Sequence, residues 1–293
     1  MSDVLALTVL SEAEWAARQQ AHERQVDGLV SGHLDRRRKG LRHPVEDFLF
    51  TYYSYRPAQL RRWHPGAGVT LAGDPPQARW RGYARTERGV ALDPAHIERR
   101  AERIRWVHSL LSATASRPAF TGCFGLHEWA MVYRADEVRH EAWPLRLGRS
   151  GTDAVVERHQ IRCSHFDAFR FFTDEAVPLN GLQPSRDRQI ELEQPGCLHA
   201  NMDLYRWAYK LSPIVPSELV ADAFELARDI RELDMRASPY DLSSLGYEPI
   251  KMETVQGRRQ YVAAQRSFAE RGAPLRARLI AACDRLLDAL HRH

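Results

Sequence analysis

Between Pro195-Gly196 and Ser212-Pro213 the chain reads G-C-L-H-A-N-M-D-L-Y-R-W-A-Y-K-L, a predicted helix of about four turns. His199, Asp203, Arg206 and Lys210 recur along one side of it. Met202, Tyr205 and Tyr209 form an aromatic row beside that stripe, and Leu204, Ala208 and Leu211 make a second apolar face. A polar stripe between two apolar sides is expected to line a cleft. A second stretch, Cys123 to Tyr133, sets His127 and Glu128 among apolar neighbours. A carboxylate in such company must find a partner, bind a cation or titrate upward. In a third, Ile161 to Asp167, an extended chain would turn Cys163, His165 and Asp167 to the same side.

These groups suggest acid-base or metal chemistry. Asp203, Glu128, His199 and His127 are the expected catalytic residues, with His165 and Asp167 beside them. Cysteine stands shortly before histidine at 123/127, 163/165 and 197/199, a donor set for zinc; the imidazoles and carboxylates alone would serve non-haem iron. No H-E-x-x-H or C-x-x-C spacing accompanies them, so the metal and any other cofactor stay open. Five rings fall between Phe48 and Tyr55. Tyr52 and Tyr53, with Arg56 close by and with Trp129 and Trp207 elsewhere, offer surfaces on which a flat base could stack.

The elements that must position these residues are mostly helical. Ser11 and Glu14 make a capping box for a helix to Arg38, and Pro44 suits the start of another to about Tyr55. Pro57 restarts the chain; Val69 to Arg85 reads as a hairpin or irregular loop, and Asp93-Pro94 opens a helix to about Ala115. A short helix covers Phe124 to Arg134. Pro144–Leu147 and Ala154–Cys163, separated by Gly148-Arg149-Ser150-Gly151, resemble the strands of a hairpin. The helix between Pro195-Gly196 and Ser212-Pro213 follows, then helices at 218–236, 253–270 and 274–290. The expected class is mainly α (α+β): one helical domain over 1–293 with a small antiparallel β-hairpin insertion. Within it lie a basic first third (1–115), a site-bearing core (120–211) and C-terminal helices (216–290).

Of 293 residues, 44% are hydrophobic and 27% charged in mixed sign, the composition of a globular chain and not a disordered one. Four cysteines are too few for a disulfide scaffold, and no secretory or membrane-spanning segment is evident, so a cytoplasmic location is expected. The net charge of +4 is uneven: residues 1–110 carry 18 Lys+Arg against 13 Asp+Glu. Clusters at Arg36-Arg37-Arg38-Lys39, Arg61-Arg62 and Arg99-Arg100-Arg103-Arg105 could meet phosphates.

From His43-Pro-Val-Glu-Asp-Phe-Leu-Phe-Thr-Tyr-Tyr-Ser-Tyr-Arg-Pro through Trp63-His-Pro-Gly66, and again at Arg236-Ala-Ser-Pro-Tyr-Asp-Leu242, the chain resembles actinobacterial proteins labelled 3-methyladenine DNA glycosylase. The likeness runs nearly the whole length. It implies hydrolysis of the N-glycosidic bond of an alkylated purine in DNA or a related nucleoside, with DNA or a nucleobase-containing small molecule as partner. Such a reaction would need stacking rings and one carboxylate, for which Glu128, Asp203 and Asp167 stand available. Neither an L-P-G-V-G hairpin motif nor terminal Cys/His ligands occur, so no role transfers by motif. Two other readings stand beside it: a zinc- or iron-dependent small-molecule enzyme, and a non-catalytic ligand-binding protein.

Overall fold

Apolar residues at helical spacing dictate the architecture. In the computed structural model, which describes residues 8–136 and 142–291, the protein is mostly helical with one small sheet. The helices are α1 (Glu12–Arg38), α2 (Phe48–Tyr52), α3 (Pro57–Arg61), α4 (Pro94–Glu98), α5 (Ala101–Ala115), α6 (Leu126–Ala130), α7 (Gly148–Arg158), α8 (Phe166–Phe169), α9 (Gln189–Leu192), α10 (Leu198–Leu211), α11 (Ser217–Arg236) and α12 (Val255–His291). Strands β1 (Thr8–Leu10), β2 (Val69–Leu71), β3 (Tyr83–Thr86) and β4 (Gly89–Leu92) form a sheet in the order β1-β2-β4-β3. β1 runs parallel to β2, with Thr8 opposite Val69 and Leu10 opposite Leu71; β3 and β4 pair as an antiparallel hairpin.

Several expected boundaries shift, each for a physical reason. The sheet lies in the first third, and the hairpin expected between Pro144 and Cys163 is instead helix α7. Gly148 there adopts φ +64 and turns the chain into the helix, where Val155 and Val156 bury. The helix expected from Pro44 is only α2, since residues 44–47 form a turn in which Asp47 accepts from the His43 amide at 2.8 Å. Arg99 and Arg100 break the 94–115 segment into α4 and α5. Pro274 does not end a helix but sits inside α12, which runs unbroken for 37 residues. The capping box at Ser11/Glu14 forms as the sequence predicts.

α10 is the central helix, packed against α11 and α12, and α5 packs against α12. Twelve of its 14 residues are buried, including Asn201, Asp203 and Arg206, so polar groups on it must be matched inside the protein. α6 enters this core through Gly125, whose φ is +64 and whose missing Cβ leaves room for the Tyr261 ring of α12, 2.9 Å from where a Cβ would stand. Both features demand glycine. Gly125→Ala is expected to lower stability by about 2–4 kcal/mol, from left-handed strain plus overlap with a fully buried ring. Denaturant unfolding of this variant checks it; a midpoint like that of the wild type would contradict the packing described.

Candidate functional site

Four segments converge on the N-terminal two turns of α10. α6 brings His127 and Glu128, α8 and its cap bring Asp167 and His165, α11 brings Arg231 and Asp234, and α2 with the residue after it brings Tyr52 and Tyr53. The expected stripe on α10 therefore faces inward for His199, Asp203 and Arg206, while Lys210 reaches a separate basic cleft.

The groups fall into two sets on adjacent helices. In the first, Asp203 is 1% exposed, accepts from Tyr53 Oη at 2.8 Å and His165 Nε2 at 3.3 Å, and forms an ion pair with Arg206 Nη1 at 3.0 Å. His165 Nδ1 accepts from the Ala168 amide, so the imidazole proton lies on Nε2, where it also faces Glu193 Oε1 at 3.5 Å. Arg206 bridges onward to Asp167 and lies over the Tyr52 and Tyr53 rings, 5.3 Å from each centroid. Burial works to raise the Asp203 carboxyl. The Arg206 charge and the bonds from His165 and Tyr53 outweigh it and hold the pKa at about 2.

In the second set, Asp234 accepts from His127 Nε2 at 2.8 Å and from Arg231 Nη1 at 3.1 Å, and Arg231 also reaches Glu128 Oε1 at 3.0 Å. Phe48 lies against the Arg231 guanidinium, 3.8 Å from carbon to ring centroid. Burial opposes protonation of His127, but the Asp234 carboxylate overrides it and raises the pKa. Burial and the neighbouring Asp234 charge push Glu128 upward. Two buried carboxylates here share one guanidinium, and the balancing positive charge must come from a proton or a cation.

His199 stands between the sets. Its ring meets His127 edge-on at 4.4 Å and stacks on His165 at 5.3 Å, and its side chain has no hydrogen bond among the described residues. Burial, then the charge of His127, lowers its pKa well below the usual histidine value, which keeps a lone pair free. One donor atom each from His127, His199 and Asp234 lie within 4.8 Å of one another. His199, Glu128, Asp167 and Arg231 border a cavity of about 20 Å³ whose outer wall is Phe48, Tyr52, Met131 and Phe171. That is room for about one water.

Other expected residues lie elsewhere. Trp129 is fully buried and donates to the Ala237 carbonyl at 2.9 Å, so it anchors α6 and is closed to a substrate. Trp207, 2% exposed, packs edge-on against Trp106 at 5.1 Å. Arg56 is exposed at the start of α3 and borders neither cavity. Cys163, His165 and Asp167 do not alternate along a strand, because His165 caps α8 and Asp167 lies within it. Cys123, Cys163 and Cys197 line a second cavity of about 10 Å³, but burial raises all three, Cys163 to about 12, which keeps them as thiols. Asp234, Arg231 and Glu193 were not expected from the sequence. The i, i+3 pair Arg231/Asp234 was the available signal, masked by the ordinary amphipathic pattern of α11.

Since the Asp203 pKa is depressed, its contribution of about 2 kcal/mol is present above pH 4 and is lost as the pH falls toward 2. Asp203→Asn leaves Arg206 without its central counter-charge and is expected to cost about 3–5 kcal/mol. It also removes that part of the acid unfolding limb. Urea unfolding across pH 2–7 measures both, and an acid profile identical to the wild type would contradict the assignment. Compared with family models, with characterised proteins and with solved structures, the chain matches none at a significant level.

Proposed function

We propose that the protein is a metal-dependent hydrolase centred on His127, His199 and Asp234. The observation that carries the reading is the convergence of two imidazoles and one carboxylate from α6, α10 and α11 at one point beside a cavity. Two nitrogens and one carboxylate oxygen suit Zn²⁺ or Fe²⁺ and leave a further position for water or substrate. The missing positive charge of this set supports the same reading, because a divalent ion supplies it where a proton on His127 otherwise would. The thiols of Cys123, Cys163 and Cys197 take no part in the donor group.

Bound there, a divalent ion would lower the pKa of a water ligand. The chain's own groups supply the rest. Glu128 borders the same cavity, and its raised pKa suits it to accept a proton from water and return it to a leaving group. Arg231 holds both Glu128 and Asp234 in orientation. The apolar wall of Phe48 and Met131 favours a substrate whose reacting bond adjoins an apolar group.

Hydrolysis of the N-glycosidic bond of an alkylated purine is the second reading. It is favoured by the Phe48–Tyr52 stack, with centroids 5.0 Å apart and planes 12° from parallel, on the wall shared with Glu128. The cavity would have to widen before it admitted a purine, as for any substrate larger than water, and the ring stack brings no donor set of its own, which places the reading second.

Metal analysis of purified protein loaded with Zn²⁺ or Fe²⁺ separates the two. One equivalent bound by the wild type, and lost in His199→Ala and Asp234→Asn while circular dichroism stays unchanged, is the expected result. Failure of the wild type to take up either ion overturns the metal reading. Release of base from methylated DNA, unaffected by chelator, would put the second reading in its place.

A further inference from the structure

The basic clusters of the first third have different fates. Arg36 is paired with Glu46 and Asp47, Arg38 with Asp35, and Arg61 with Glu23 and Asp27. Those cations are already matched. By contrast, Arg62, Arg81, Arg99, Arg100, Arg103 and Lys210 gather around one cleft of about 790 Å³, between α3, the turn before β3, α4, α5 and the end of α10. Glu102 is the sole carboxylate on its lining. Among the described residues, only Arg99 has an acidic group within 4.0 Å, Asp93 at that limit.

The cations perturb one another. Burial, then Arg103 and Arg81, lowers Arg100; burial, then Arg206, Arg186 and Arg103, lowers Lys210. Burial likewise lowers His96, whose Nε2 is buried without a partner and whose ring belongs to the same lining. A concave space that gathers six cations against a single carboxylate is complementary to a multiply charged anion. Guanidinium forks select phosphoryl oxygens.

Flat aromatic surface completes the cleft. Tyr55 and Tyr209 stack with centroids 4.9 Å apart and planes 14° from parallel, and Trp80 carries the Arg62 guanidinium at 5.0 Å. The volume lies within the range of small-ligand sites and the cations line one concave cleft, unlike the extended stripe that tracks a nucleic-acid backbone.

We propose that this cleft binds a nucleoside di- or triphosphate, with Arg62, Arg103 and Lys210 on the phosphates and the aromatic groups Trp80 and Tyr55 beside the base. The site is separate from the His127/His199/Asp234 centre and does not depend on it. Lys210 stands 11 residues beyond His199 on α10, a distance of roughly 16 Å.

Calorimetric titration of the full-length protein with ATP, GTP, adenosine, inorganic tripolyphosphate and a 12-nucleotide single strand tests the proposal. ATP or GTP is expected to bind at least about tenfold more tightly than tripolyphosphate or adenosine alone. Arg62→Ala combined with Arg103→Ala should weaken ATP by about tenfold or more, while Arg85→Ala on the β3 edge leaves it unchanged. Trp80→Leu should weaken ATP and spare tripolyphosphate. Both arginines are exposed and neither makes an ion pair among the described residues, Arg62 resting only on the Trp80 ring, and unchanged thermal unfolding verifies that the fold is kept. No nucleotide binding at millimolar concentration overturns the proposal. So does ATP binding no tighter than tripolyphosphate, or binding of the single strand alone.

Discussion

A carboxylate taken out of water must meet positive charge or a proton within a few ångströms, and the interior of this protein is arranged around that constraint. Asp203 on α10 and Asp234 on α11 solve it the same way. Each takes an arginine three residues away on its own helix, Arg206 or Arg231, and an imidazole from a distant segment, His165 or His127. The long-range histidine ties α8 to α10 and α6 to α11. At five and four residues, α6 and α8 are too short to be held by helix formation alone, and the histidine ties add to the Trp129–Ala237 bond that anchors α6.

Stability alone does not account for such an arrangement. Buried ionic sets can commonly be replaced by apolar residues of equal volume at no loss. Here two are placed side by side, with a neutral histidine between them and a small cavity at their edge. The first set is closed around Asp203, which takes hydrogen bonds from Tyr53 and His165 and the charge of Arg206. The second is not, because Glu128 and Asp234 share Arg231 and both border His199 or its cavity. On the proposed reading, this difference gives a positioning role to the Asp203 set and chemistry to the Asp234 set. α10 links the two regions of the protein, with His199 near its start and Tyr209 and Lys210 on the basic cleft at its end.

Much of this was legible in the sequence. The mainly α class, the inward stripe of α10, and the isolation of His127 and Glu128 among apolar neighbours all followed from helical spacing and from burial. What escaped depended on tertiary partners. Arg231 and Asp234 lie on a helix whose charges look solvated until α6 is laid against it, and Glu193 precedes a Pro-Gly break that reads as loop. Trp129 and Trp207 offered rings whose burial no local pattern reveals. The Gly148-Arg-Ser-Gly segment carries turn chemistry, yet a single left-handed glycine is enough to start a helix there. Proline at 274 looked like a helix start, but α12 has enough apolar contact on both sides to carry it through.

The central claim is that His127, His199 and Asp234 share one divalent ion. Anomalous diffraction from crystals soaked in Zn²⁺, collected above and below the zinc edge, locates such an ion without reference to activity. The account predicts one peak within about 2.0–2.2 Å of a nitrogen of His127, a nitrogen of His199 and an oxygen of Asp234. Zinc bound only elsewhere, with the His127–Asp234 hydrogen bond intact, would contradict it.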